Sequence, residues 1–223
     1  MIPLRSTERV YATAAVTASL IAVNAVVFLY QATLGPSSLN QFVEQWGIVP
    51  DSRPFHVASL LTSMFLHGGW MHLIGNMLFL WVFGRNVEDL IGGGRFLLFY
   101  VLCGLAAAVG HVILNPYSRV PTIGASGAIA GVMGAYLIKF PRARIITLIP
   151  VFVFITTMEI PAAFLLLYWF GIQFLSGIGS LADTDYTGGG VAWFAHVGGF
   201  IAGMLLIRVF PARKRWRSWY ADE

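Results

Sequence analysis

Charge is scarce in this chain of 223 residues: Asp, Glu, Lys and Arg together make up 11% of it, where a soluble globular domain carries roughly 25%. So little charge excludes a fully solvated sphere. Cysteine is nearly absent as well. The one thiol, Cys103, excludes an intrachain disulfide and leaves the redox compartment open; inside an apolar run it reads as a packing residue. There is no lipidation motif, low-complexity tract, fixed-period repeat or linker long enough to separate soluble domains, so residues 1–223 read as a single domain. The net charge of +4 does not point to nucleic acid, because the basic residues form no single patch among stacking aromatics. No His-Glu-x-x-His string is present to suggest a zinc site, and no metal or other cofactor is expected.

What is abundant is apolar sequence, 57% of all residues. A membrane-spanning helix needs about 20 mostly apolar residues, and six segments qualify, near 10–34, 71–90, 96–114, 126–140, 160–178 and 191–210. The fold class expected is therefore an all-α membrane bundle of six transmembrane helices. The first segment follows Arg5 and Arg9 as a signal peptide would, but it lacks a small-residue cleavage site and reads as a retained anchor. The fourth is short, about 22 Å at 1.5 Å per residue, which sets its first residue, Ser126, below the membrane surface. The apolar stretch from 145 to 177 is too long for one helix. Pro150 and Pro161 break it, so an extended or interfacial segment is expected between them, with Glu159 at the cytoplasmic interface.

Basic residues give the direction. Twelve of the fourteen Lys and Arg fall in the termini and in the connections on one side; only Arg53 and Arg119 lie on the other. The positive-inside rule then places both termini in the cytoplasm, with Trp216 and Trp219 as interfacial anchors. On that assignment His56, His67, His72, His111 and His196 all fall at the outer side, together with Ser126 and Asn76. A polar site near the outer leaflet is expected.

Three strings carry candidate chemistry. Gly124-Ala125-Ser126-Gly127 opens the fourth segment, which continues with Gly131 and Gly134. Ala195-His196-Val197-Gly198-Gly199 opens the last, with Gly203 four residues on. Small residues at these spacings let helices approach backbone to backbone. Packing of Gly127 and Gly131 against Gly199 and Gly203 would bring Ser126 and His196 within hydrogen-bonding reach, and a serine hydroxyl needs such a base to act as a nucleophile. Taken alone, the glycine stripe favours a plain packing surface, with Ser126 as a helix cap; the His196 string on a matching surface shifts the balance. The third string, His67 to Asn76, sets His72 and Asn76 four apart on one helix face. With the Ser126 backbone N–H they supply the donors a tetrahedral oxyanion requires; interhelical hydrogen bonding is the alternative. Gly188, Gly189 and Gly190 precede the last segment as a flexible cover or a simple connector, and Asp183 and Asp185 are the nearest carboxylates available to orient His196.

Together, and in this order on the second, fourth and sixth segments, the three strings resemble the signatures of rhomboid intramembrane serine proteases, over about residues 10–210. The resemblance implies the six-helix fold, a Ser126–His196 dyad and oxyanion stabilisation by Asn76 and His72. It further implies that Gly124 shapes the approach to the serine and that His67 is structural. The expected activity is cleavage of single-pass membrane proteins near the outer face of a lipid bilayer, most simply a prokaryotic plasma membrane. Two features depart from the pattern: Ala130 stands where many relatives carry an aromatic that packs on the catalytic histidine, and the first outer loop lacks a Trp-Arg pair found in some members. A silent rhomboid-like protein that binds client membrane helices is the main alternative, but it would need a lost nucleophile or base. A transporter or a histidine metal site has no inverted repeat, charged midspan residue or zinc motif behind it.

Overall fold

The computed structural model describes residues 1–151, 154–182 and 192–213, with the side chains of 150–155 and 180–182 left aside. Helix α1 (Ala15–Thr33) is followed by α2 (Pro36–Trp46) and the short α3 (Ser59–Thr62), which runs into a 3-10 turn over Ser63–Phe65. Helix α4 (Trp70–Phe79) passes through a π-helical turn at Leu80–Gly84 into α5 (Arg85–Ile91). Then come α6 (Gly93–Leu114), α7 (Ser126–Lys139), α8 (Ala162–Ala182) and α9 (Trp193–Leu206). Helix thus occupies every segment picked out by hydropathy. Ala15–Thr33, Gly93–Leu114 and Ala162–Gly179 are long and apolar enough to cross a membrane by length and composition, while α7 and α9 are apolar but shorter.

Helix α7 is the centre. Every residue from Gly127 to Tyr136 is buried, and its small residues let the neighbouring backbones close on it. A Cβ built on Gly199 of α9 would lie 2.1 Å from the Gly127 carbonyl oxygen, and one on Gly203 would lie 1.9 Å from that of Gly131. On the α6 side, a Cβ on Gly127 would meet the Ala107 methyl at 2.6 Å, and one on Gly131 would meet Cys103 Cβ at 2.4 Å. The four glycines singled out in the sequence are therefore positions where helices touch without side chains between them. Cys103 is fully buried in this seam, as a packing residue would be.

The all-α expectation needs correction. Strands β1 (Ile2–Ser6), β2 (Arg144–Val151) and β3 (Phe154–Pro161) form an antiparallel sheet in the order β1-β2-β3, with Arg144 opposite Pro161 and Ser6 opposite Ile145. The extended segment expected between Pro150 and Pro161 is one arm of this hairpin, whose other arm begins six residues earlier. β-branched residues dominate both arms and favour the pleated conformation. Proline at the last position of β3 requires no ladder donor, and α8 starts at the next residue, two later than expected. Glu159 is exposed and pairs with Arg144 at 3.4 Å. Helix α2, with Pro36 in its first turn, has no counterpart among the six expected segments.

The last described residues fold back on α5 and α6. Arg213 N–H donates to the Leu90 carbonyl at 2.8 Å and the Arg95 guanidinium to that of Pro211 at 3.3 Å. The Asn86 amide donates to the Glu8 carbonyl at 3.2 Å, which brings the N-terminal segment to the same place. The basic residues at 5, 85, 95, 144 and 213 thus share one end of the molecule. The opposite end is tied by Asp51 N–H to Ser118 O at 3.0 Å and by the Arg119–Asp51 ion pair at 3.0 Å.

Helix α1 starts at Ala15 rather than near residue 10 because acidic side chains of α5 hold the chain before it. Asp89 accepts from the N–H groups of Tyr11 and Ala12 at 2.9 and 3.1 Å. Glu88 accepts from Val16 N–H at 2.9 Å and from the N–H and hydroxyl of Thr17 at 2.7 Å each, meeting donors that the first turn of a helix leaves unpaired. Glu88→Ala should therefore cost about 3 kcal/mol, since hydrogen bonds to charged groups are worth about 1.5–3 kcal/mol each and do not add fully. Its thermal melting in detergent is expected several degrees below wild type; an unchanged midpoint would refute the cap.

Candidate active site

The local chain at Ser126 is set by Gly124. Its φ of +128° lies where only glycine is at ease, and its N–H donates to the Ser63 carbonyl at 2.8 Å. A Cβ there would also fall 2.8 Å from His72 Nε2. Glycine is thus required twice, for the backbone turn and for the imidazole that occupies the space. After this turn Ser126 becomes the first residue of α7. Its side chain makes no capping bond; the hydroxyl instead lies 2.7 Å from His196 Nε2. The helix-cap alternative for Ser126 is not what the chain adopts.

His196 stands in the second turn of α9, 7% exposed, where the Gly199 and Gly203 contacts hold its helix against α7. Its other nitrogen, Nδ1, lies 2.5 Å from Gln173 Oε1 on α8. The Trp169 ring is 5.7 Å from the imidazole at an interplanar angle of 37°, and the Trp193 ring is 6.5 Å away, edge to face. Ala130, the position that lacks the expected aromatic, is fully buried in the core. Aromatic cover for the histidine comes from α8 and α9 instead. Asp183, Asp185 and Gly188 to Gly190 lie outside the described residues, as do Trp216 and Trp219.

His72 and Asn76 project from successive turns of α4. Gly68 N–H donates to His72 Nδ1 at 3.3 Å. That bond assigns the proton of a neutral imidazole to Nε2, the nitrogen that faces Gly124. Asn76 Nδ2 is buried and has no hydrogen-bond partner among the described residues. Both side chains line the cavity that Ser126 also lines, and the Ser126 N–H belongs to the first turn of α7, where helical partners are lacking. His67 is buried and packs edge to face on His72 at 5.1 Å, while its backbone N–H and C=O are both bonded by the Gln31 side chain of α1, at 3.0 and 3.2 Å. Burial, with His72 nearby, pushes the His67 imidazole below its ordinary range. Both observations fit the structural place given it in the sequence.

These side chains open on one cavity of about 880 Å³, lined by Ser126, His196, His72, Asn76, Gly124 and His111 among others. Thr122 and His111 close one wall with a hydrogen bond of 2.8 Å. Among the described residues, no three His, Cys, Asp or Glu side chains gather as a metal-ligand set. Gln173, Trp169 and Gln31 were missed in the sequence. The signal for Gln173 was available, since it is the one amide in the apolar α8 segment and a polar side chain there seldom lacks a purpose.

A half-buried hydroxyl set against an imidazole, in a cavity among apolar helices packed through glycine, belongs to a helical protein embedded in a membrane. The chain belongs to the rhomboid family: residues 54–213 match the model of the rhomboid domain. It is 33% identical over 190 residues to RHOMBOID-like protein 1 of Arabidopsis thaliana, covering 82% of this chain and 42% of that protein. It is 46% identical over 78 residues to rhomboid protease GluP of Bacillus subtilis, 35% of this chain and 15% of that one. With the mitochondrial rhomboid protein 1 of Saccharomyces cerevisiae it shares 28% identity over 170 residues, 74% of this chain and 45% of the relative. The chain thus spans less than half the length of each of these relatives.

Proposed function

We propose that the chain is an intramembrane serine endopeptidase, a single rhomboid domain of six membrane-spanning helices with both termini in the cytoplasm. The observation that carries the reading is the 2.7 Å contact of Ser126 Oγ with His196 Nε2 in a cavity also lined by the Asn76 amide, whose Nδ2 has no partner among the described residues. Ser126 attacks the scissile carbonyl while His196 takes the hydroxyl proton at Nε2 and later delivers it to the leaving amine. The carbonyl oxygen, negative in the tetrahedral intermediate, is met by His72 Nε2–H, Asn76 Nδ2 and the Ser126 N–H. Water then enters the cavity and releases the acyl group by the same route in reverse.

The clustering of basic residues at the end that carries β1 and residue 213 supports cytoplasmic termini and a site toward the outer face. Helix α7 is about 21 Å long, short of the roughly 30 Å hydrocarbon core, which supports a site sunk below the surface. Substrates are single-pass membrane proteins whose helices unwind locally to present a bond, and the membrane is most simply a prokaryotic plasma membrane. Asn76→Ala is expected to lower kcat on a transmembrane reporter substrate roughly 100-fold, the scale of losing one oxyanion donor, with a normal melting temperature. Full turnover in that variant would remove Asn76 from the oxyanion site.

A further inference from the structure

Ser126 and His196 account for the reacting atoms, but not for which imidazole nitrogen holds the proton. A neutral imidazole has one donor and one acceptor nitrogen, and only the form protonated at Nδ1 can receive a proton from Ser126 at Nε2. In the other form Nε2–H would donate to the serine oxygen, and the pair would be inert.

We propose that Gln173 is a positioning residue that fixes His196 in the form protonated at Nδ1, with Trp169 holding the ring from its face; this rests on the serine-histidine reading above. The amide oxygen Oε1 faces Nδ1, and an oxygen can only accept, so the proton belongs on Nδ1. Gln173 is 7% exposed on a helix with no other amide or charged side chain. Burying a primary amide is costly unless it is paired, and its partner is His196. Trp169 lies four residues earlier, on the same face of α8, and covers the imidazole at 5.7 Å. One helix face thus sets both tautomer and plane, a task that a buried carboxylate performs in a triad. Gln173 touches no reacting atom and acts through His196.

Two isosteric variants separate this role from packing. Gln173→Met keeps the volume and removes the acceptor; Gln173→Glu offers an acceptor oxygen in either protonation state. The readouts are the rate of labelling by a fluorescent fluorophosphonate in detergent and the 15N spectrum of histidine-labelled protein, with His196 assigned from His196→Ala. We expect wild-type His196 to carry its proton on Nδ1, and Gln173→Met to populate both forms and label about tenfold more slowly. That is the scale of one hydrogen bond of about 1.4 kcal/mol. Gln173→Glu should label faster than Gln173→Met. A purely structural amide predicts the reverse order, since a buried carboxyl disturbs an apolar seam more than a thioether does. Labelling of Gln173→Met at the wild-type rate, or a wild-type His196 protonated at Nε2, overturns the proposal; the second result is read on wild type and needs no variant to fold. Folded wild type that fails to label overturns the serine-histidine reading itself, and the tautomer spectrum still decides what Gln173 does.

Discussion

Ser126→Ala and His196→Ala should each reduce cleavage of a transmembrane reporter below detection, and the double variant should be no worse than either. On the proposed mechanism the nucleophile and its base act as one unit, so removing either forfeits nearly the whole covalent route, roughly a million-fold where such pairs have been taken apart. Stability should barely move in Ser126→Ala, whereas His196→Ala, which leaves the buried Gln173 amide without its partner, should melt a few degrees lower. Ser126 Oγ makes no capping bond that α7 would lose, and its partner among the described residues, His196 Nε2, is left facing a cavity rather than packed apolar atoms. Melting temperatures within a few degrees of wild type, alongside lost cleavage, are the expected pair of results. Cleavage that persists in purified Ser126→Ala would move the chemistry elsewhere.

Gly199→Leu should damage the fold itself. The Cβ alone would sit 2.1 Å from the Gly127 carbonyl oxygen and 3.0 Å from its carbonyl carbon. These atoms are backbone of the central helix and cannot rotate aside as a side chain would. Accommodation requires α9 to draw away from α7. Overpacking a close-fitting seam costs about 1–3 kcal/mol even where side chains can shift, and a rigid backbone contact should exceed that range. At roughly 2–4 °C per kcal/mol for a chain of this size, a midpoint lower by about 10 °C or more is expected. Activity should fall with it, because the same seam sets the Ser126–His196 distance. Gly198→Ala is the control: a Cβ there meets nothing closer than Ala107 Cα at 4.0 Å, so both stability and activity should hold. Equal melting temperatures for Gly199→Leu and wild type would contradict the close contact of these helices.

The features of this arrangement that the sequence made legible are those written in local pattern. Long apolar runs located the helices to within a few residues at most ends, and glycines at spacings of three and four announced the α7–α9 seam that brings Ser126 to His196. His72 and Asn76 were readable from their four-residue spacing. The sheet was harder, because β1 and β2 pair across more than 130 residues and nothing in Ile2–Ser6 names its partner. The start of α1 is hidden for a similar reason, since its cap, Glu88, lies 71 residues away. Gln173 and Trp169 belong to this long-range class too. Their spacing on α8 was visible, but that they face His196, 23 residues from Gln173, emerges only when α8 packs beside α9. Local periodicity thus encoded the scaffold and the Ser126–His196 pair, while the side chains that pack around the pair depend on distant contacts.

The account turns on an activated Ser126. The most direct measurement is peptide-mapping mass spectrometry of the detergent-purified protein after reaction with a fluorophosphonate, on wild type and His196→Ala. The account predicts a single phosphonyl adduct on Ser126 in wild type and none in His196→Ala. An adduct on another residue, or equal modification of Ser126 without His196, would contradict it.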